Sequence, residues 1–113
     1  MKPTPRDVLR ALDAIQPGAA ALVDSADRCA HPTALRRVCV AVCVALGWSL
    51  PRIARDYGRD HSTIIHHRNT YLRNRSLHGK EAEAELFRAV MLEAHEIASR
   101  RGVVYLSDRR RAA

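Results

Sequence analysis

The sequence predicts an all-α domain, a compact bundle of about five helices that contains a helix-turn-helix. Apolar residues recur at helical spacing in each long segment, and Ser, Thr, Pro and Gly stand where helices begin and end. No segment predicts a strand. With 113 residues, the chain is long enough for one domain with a modest core.

The first helix is predicted over residues 5–15, where apolar side chains recur every three or four positions. Thr4 can cap this helix, and Pro5 suits its first turn. The pair Pro17-Gly18 ends it. Residues 19–23 are expected to form a short helical turn.

A second long helix is predicted to begin at Pro32 or Thr33, after a polar connector at residues 24–31, and to run to about Leu46. Apolar residues cover most of its circumference, so we expect it to be the central buried helix. Gly47 suits its end.

The chain has three cysteines, an odd number, and no signal-peptide pattern, which argues against a disulfide framework. Cys39 and Cys43 share one face of the second long helix and are expected to be buried free thiols. The alternative is a metal site that joins these thiols to His66 or His67. Because the spacing lacks the paired short intervals of a zinc site, no metal and no cofactor are expected.

Residues 49–72 predict a short helix, a glycine-containing turn and a second helix, which is the pattern of a helix-turn-helix. Ser49 can cap the first helix, and Pro51 lies in its first turn. Gly58 ends this helix, and Asp60 or a neighbour can cap the next. The second helix carries Ile64, Ile65, Arg68, Tyr71 and Leu72.

A break is predicted at residues 77–80, followed by a last amphipathic helix at residues 81–99. The remaining residues form a basic tail, for which the sequence leaves two alternatives, an extended arm and a disordered segment. We therefore place the domain at residues 1–99 and the tail at residues 100–113.

Five consecutive polar side chains stand at the start of the second helix of the helix-turn-helix. A surface helix needs one capping residue rather than five such groups, whereas a helix that reads base edges in the major groove uses such a set. The net charge of +7 and the pI of about 10.2 agree with a nucleic-acid partner. The expected base-reading residues are Arg59, Asp60, His61, Ser62 and Thr63.

Further polar residues are expected to contact DNA phosphate or to flank the site, where they fix register without carrying sequence information. They are Arg36, Arg37, Ser49, His66, His67, Arg68 and Arg73. Simpler alternatives stay open: the arginines form a solvated surface, Asp60 is only a helix cap, and one of the adjacent histidines packs beside Tyr71 while the other faces phosphate.

The run from Ser49 to His66, Ser-Leu-Pro-Arg-Ile-Ala-Arg-Asp-Tyr-Gly-Arg-Asp-His-Ser-Thr-Ile-Ile-His, resembles the signature of the C-terminal DNA-binding domain of DnaA, the bacterial replication initiator. The resemblance covers residues 5–99 and is close over residues 49–71. It implies that the helix-turn-helix reads a short double-stranded site, the DnaA box. The residues that it places at base edges or near the DNA are Arg59, Asp60, His61, Ser62, Thr63 and His66.

The chain departs from that family in three places. It has no Gly-x-x-x-x-Gly-Lys-Ser/Thr phosphate loop, so it cannot by itself act as an ATP-driven initiator. Where the family has a basic loop with a minor-groove arginine, this chain has residues 30–33, and Arg28, Arg36 or Arg37 are the candidate substitutes. The turn has one glycine where many members have two, which predicts a slightly different angle between the two helices of the helix-turn-helix.

These features predict a sequence-specific double-stranded DNA-binding protein, a cytoplasmic regulator of transcription or replication of bacterial or phage type. Neither enzymatic activity nor a nucleotide is expected, and no apolar run approaches the roughly 20 residues of a membrane span. A replication or transcription protein is a further expected partner. Two alternatives remain: a binder of nucleic acid without sequence preference, and a protein-interaction module that docks through Phe87, Met91 and Glu93 of the last helix.

Overall fold

Six α-helices form the part of the chain that the computed structural model describes, residues 2–75 and 79–112, and no strand occurs there. Side chains are described as far as Arg101. The helices are α1 (Pro5–Ile15), α2 (Ala19–Asp24), α3 (Ala30–Ala45), α4 (Leu50–Tyr57), α5 (His61–Asn74) and α6 (Glu81–Ala112). The all-α prediction is confirmed, and α2 is the sixth helix, where the sequence indicated only a helical turn.

Helices α1 and α4 begin directly after the capping residues that the sequence indicated, Thr4 and Ser49. Thr4 and Asp7 form a capping box at α1, in which each side chain bonds the other residue's backbone amide at 3.2 and 3.0 Å. Ser49 accepts a hydrogen bond from the Arg52 amide at the start of α4. Gly58 ends α4 with a φ of +61°, a conformation that costs glycine little. These boundaries are therefore confirmed.

Helix α3 begins at Ala30, earlier than the predicted Pro32. Pro32 occupies its first turn, where the missing amide costs nothing because the first amides of a helix have no partner inside it. The prediction of a later start was wrong for this reason, and the polar connector is correspondingly shorter.

Helix α6 continues without interruption past residue 99 to Ala112, so neither the extended nor the disordered alternative describes the backbone of the tail. Arginine is a good helix former, and the single Gly102 costs only about 1 kcal/mol relative to alanine. The predicted break at residues 77–80 falls partly outside the described residues; within it, Gly79 has a φ of +86°.

Helix α3 is the centre of the bundle and contacts α1, α2, α4, α5 and α6. Cys39 and Cys43 are fully buried, as predicted, and burial raises the pKa of Cys43 to about 12, which keeps its thiol protonated. The Cys43 sulfur lies 3.2 Å from the hydroxyl of Tyr57, which donates to the carbonyl of Pro5 at 2.9 Å. This chain of contacts joins α3, α4 and α1.

Asp7 connects the first helix, α1, to the last helix, α6, through an ion pair. Its side chain is fully buried and forms an ion pair of 2.6 Å with Arg101, 94 positions later in α6. Burial by itself raises the pKa of Asp7, but hydrogen bonds from Thr4 and Arg101 lower it overall. The charged carboxylate therefore holds α6 against α1, the pair of helices with the most extensive contact.

Arg36 of α3 is only 7 % exposed, and its guanidinium binds the backbone at the end of α2 and in the following connector. Its nitrogens donate to the carbonyl oxygens of Leu22, Val23, Ser25 and Asp27 at 2.6–3.0 Å. Arg36 was predicted to contact DNA phosphate or to flank the site; in the structure these bonds use its donors inside the fold.

Substitution of Arg36 by Met is expected to lower the free energy of unfolding by about 2–4 kcal/mol, because buried carbonyls lose a charged donor. Urea denaturation measures the loss. Arg28→Met, on the exposed connector, is the matched control and should stay within about 0.5 kcal/mol of the parent. Arg36→Lys should recover only part of the loss, since an ammonium cannot span carbonyls that a guanidinium bridges. A fully stable Arg36→Met chain would contradict this account.

Candidate nucleic-acid interface

Helices α4 and α5 are joined by a turn of three residues, Gly58 to Asp60. The amide of Arg59 bonds the carbonyl of Ala54 at 2.9 Å, and that of Gly58 bonds the carbonyl of Arg55 at 3.3 Å, which closes the end of α4. Helix α4 also contacts α3, where the hydroxyl of Tyr57 lies 3.2 Å from the sulfur of Cys43. The turn, and with it the direction of α5, is therefore fixed by the bundle.

Arg59 ties this turn to the connector after α2. Its Nη2 donates to the carbonyl oxygens of Val23 and Ser25, both at 2.6 Å, and these are two of the carbonyls that Arg36 also binds. The residue is half-buried. In this structure Arg59 holds the helix-turn-helix in place, a role that differs from the base contact expected from the sequence.

The four residues after Arg59 are all exposed at the beginning of α5, as a base-reading set requires: Asp60, His61, Ser62 and Thr63. Asp60 occupies the N-cap position, but within the described residues its carboxylate caps no backbone amide of α5. It accepts a hydrogen bond from the hydroxyl of Ser62 instead. The alternative in which Asp60 is only a cap is thus not what the structure shows, and its carboxylate stays on the surface.

One face of α5 carries polar side chains along its whole length. Ser62, His66, Asn69 and Arg73 are exposed and lie within roughly 60° of one another around the helix, at 3.6 residues per turn. We call these four residues the α5 polar face. The sequence analysis did not identify Asn69, although its spacing of three from His66 and seven from Ser62 would have indicated it.

The α5 polar face borders a cleft whose other wall comes from the start of α3 and the connector before it. Arg28 is exposed on that wall, and Thr33 lies beside it. The cleft is lined by Ala26, Arg28, Thr33, Arg36, Gly58, Arg59, Asp60, Thr63, His66 and His67. Three arginines against one carboxylate give it a positive field that favours a polyanion.

Two of the predicted phosphate contacts are engaged elsewhere. The guanidinium of Arg37 binds the carboxylate of Glu83 at 2.8 Å, and both side chains are only 13 % exposed, so this pair joins α3 to α6. Arg68 lines a separate groove with Tyr71 and Leu72, and its Nε donates a hydrogen bond to Oδ1 of Asn69 on the polar face at 3.1 Å. The sequence did not indicate this pairing of Arg37, because its partner is 46 positions away. Ser49 is exposed at the cap of α4.

The adjacent histidines have different surroundings. His66 is exposed on the α5 polar face, whereas His67 is 6 % exposed and its Nδ1 has no hydrogen-bond partner within the described part of the chain. Burial, followed by the nearby positive groups of His66, Arg37 and Arg36, lowers the pKa of His67 to about 4. His67 is therefore neutral and largely buried, although it also lines the cleft.

Acidification is expected to destabilise the fold through His67. Between pH 6.5 and about 4 the unfolded chain takes up a proton that the folded chain does not, so the free energy of unfolding falls as the pH is lowered. His67→Leu should reduce this fall by about 2–3 kcal/mol. Urea denaturation at a series of pH values measures it, with the exposed His66→Gln as control. Equal pH dependence in parent and His67→Leu would contradict the assignment.

Among the described residues there is no group of three or more Cys, His, Asp and Glu side chains that could hold a metal ion. The described helices also include none of the length and apolar character that a membrane span requires. Comparisons of the chain with protein-family models, curated proteins and solved structures found no match. What the chain does must therefore be argued from the cleft and the α5 polar face.

Proposed function

We propose that this chain is a sequence-specific double-stranded DNA-binding protein that inserts the beginning of α5 into the major groove. The observation that carries the proposal is the exposure of four successive polar residues, 60–63, at the N-terminus of a helix whose position the bundle fixes. A helix about 10–12 Å wide fits the major groove, where every base pair presents a distinct pattern of donors and acceptors.

The chemistry of these side chains suits base edges and phosphates. The carboxylate of Asp60 can accept from the amino group of cytosine, and the methyl group of Thr63 can contact that of thymine. Asn69 is able to form paired hydrogen bonds with adenine. Arg28, on the facing wall of the cleft, and Arg73, at the far end of the α5 polar face, are placed to contact backbone phosphates. Amides at the start of α5 favour an anion there.

The resemblance to the DnaA DNA-binding domain supports a short DnaA-box-like target and a cytoplasmic role in transcription or replication. The Gly-Arg-Asp-His-Ser-Thr run that carries the resemblance, residues 58–63, coincides with the turn and the exposed start of α5. The family's minor-groove arginine has one exposed counterpart among the candidates, Arg28, since Arg36 and Arg37 are engaged within the fold.

A binder without sequence preference is the main competing function. It would need only the positive cleft, with its arginines, and it predicts binding that vanishes as salt rises. Such a binder gains nothing from the exposed carboxylate of Asp60, which opposes binding to phosphate unless it meets a donor on a base. The carboxylate therefore favours the sequence reader.

Selection from a random duplex pool at about 150 mM salt is expected to enrich one short motif, because purely electrostatic binding is weak there. Asp60→Ala and His61→Ala should each relax the preference at one or two positions of that motif, by about 1–3 kcal/mol per base pair. Exposed Ala21→Ser on α2 serves as control. An unenriched pool, or unchanged preference in both variants, would refute sequence reading.

Arg73 and Arg68 form a matched pair on one helix. Arg73→Ala is expected to weaken binding to all duplexes alike and to reduce the slope of log affinity against log salt by about 1, because one phosphate contact is lost. Arg68→Ala removes the same charge from a side chain that bonds Asn69 at 3.1 Å but lines the separate groove beside Leu72, so it should change the slope less than Arg73→Ala does. Fluorescence anisotropy in a salt series, with a duplex that carries one site, measures both. A larger effect for Arg68 would contradict the proposed orientation of α5.

A further inference from the structure

The ring of His67 lines the cleft without a partner. The residue is only 6 % exposed, and within the described part of the chain neither of its ring nitrogens forms a hydrogen bond. Nδ1 is fully buried, so Nε2 is the nitrogen that can meet a group in the cleft. Because buried polar groups in folded proteins are nearly always bonded, an unpaired imidazole at the floor of a cleft indicates a position for a ligand.

The charged groups that act on this ring are positive. His66 lies on the same helix, with its ring centroid 6.1 Å from that of His67. Helix α3 contributes Arg36 and Arg37, and the turn before α5 contributes Arg59. Burial is the largest cause that lowers the pKa of His67, and each of these four groups lowers it further. The ring therefore lies in a positive field that an anion would reduce.

The carboxylates near the ring are already bonded. Asp60, at the edge of the cleft, accepts a hydrogen bond from the hydroxyl two residues later, and Asp27 accepts one from the backbone amide of Cys29 at 2.8 Å. Glu83 of α6 is paired with Arg37 at 2.8 Å. Three arginines line the cleft against the single carboxylate of Asp60, so positive charge predominates there.

The side chains around the cleft also supply donors for an anion. Thr63, His66 and His67 are three or four positions apart and therefore share one side of α5. Arg28 lies on the facing wall, and its guanidinium forms no ion pair with any side chain that the structure describes. The cleft has a volume of about 660 Å³, within the range of small-molecule sites, so a phosphate with its substituent fits.

We propose that the floor of the cleft binds a phosphate group, which the ring of His67 bonds from below and Arg28 faces from the opposite wall. The negative charge of a phosphate offsets the positive field, and its oxygens accept from Nε2 of His67, the guanidinium of Arg28 and the hydroxyl of Thr63. Two sources share this chemistry. One is the backbone of DNA, which rests on the proposed function, and the other is a free phosphate ester, which does not.

Binding of the anion is expected to be coupled to protonation of His67. The pKa of His67 is about 4 in the free chain, and an anion beside the ring raises it by opposing the positive groups. The affinity for the anion is therefore constant above the pKa of the bound state, rises as the pH falls through that pKa, and levels off below about 4. A rise of about one pKa unit corresponds to about tenfold in affinity.

Inorganic sulfate tests the site, because its charge stays constant while the histidines titrate. NMR of the histidine rings in the parent chain, without DNA and at constant ionic strength, should show the pKa of His67 raised by about one unit at saturating sulfate. The ring of His95, exposed on α6, should change little. The sulfate affinity should rise about tenfold between about pH 6.5 and 4. Circular dichroism at each pH verifies that the chain remains folded.

Three variants assign the effect to the cleft. His67→Leu removes the proton site, so it should weaken sulfate binding and lose most of the rise at low pH. Arg28→Met, on the exposed connector, leaves the fold intact and should weaken sulfate binding about threefold to tenfold. His95→Gln is the matched control and should bind like the parent. Unmoved ring signals of His67, or His67→Leu and Arg28→Met chains that bind sulfate as the parent does, would overturn the proposal.

Two further titrations identify the source of the phosphate. If a backbone phosphate occupies the floor, the duplex obtained by selection should move the His67 signals and compete with sulfate. If a free ester does, thymidine 5′-monophosphate should do so and thymidine should not. Movement by neither ligand would overturn the proposal. The sulfate titration contains no DNA, so an unenriched duplex pool refutes the proposed function alone, whereas unmoved His67 signals refute this site alone.

Discussion

The guanidinium of Arg36 organises the half of the molecule that faces the cleft. The carbonyls that it binds belong to α2 and to the connector that leads into α3, so these bonds hold the connector against the bundle. Arg59 then uses two of the same carbonyls to attach the turn before α5. Two guanidinium groups, those of Arg36 and Arg59, thus donate to the same two backbone carbonyls. These shared bonds position the exposed start of α5 and form the base of the cleft.

The helices around the cleft were predictable because their ends depend on local chemistry. Thr4 and Ser49 bond amides three residues away, and Gly58 adopts a backbone conformation that other residues avoid, so each acts without help from the rest of the fold. The exposed residues 60–63 were predictable for the same reason. The extent of α6 was not, because helix-forming arginines and a glycine give opposing signals in the tail.

The contacts that the arginines make inside the fold are what sequence reasoning did not anticipate. Arg36 lies three, four and seven positions before Cys39, Val40 and Cys43, all buried, so the periodicity of α3 did contain a signal that it faces inward. Because arginine is charged, Arg36 was nevertheless assigned to the surface. Arg37 offered no signal at all, since its partner Glu83 is distant in sequence and only the packing of α3 against α6 brings them together.

The attachment of Arg59 to Val23 and Ser25 limits how portable the helix-turn-helix is. A fragment or a chimaera that takes only α4 and α5 keeps every residue of the DnaA-like run but loses the backbone that fixes the angle of α5. Grafting these two helices onto another scaffold would require the connector and α2 to be transferred with them, together with Arg36 of α3, which holds both. The smallest transplantable unit is therefore most of the bundle rather than two helices.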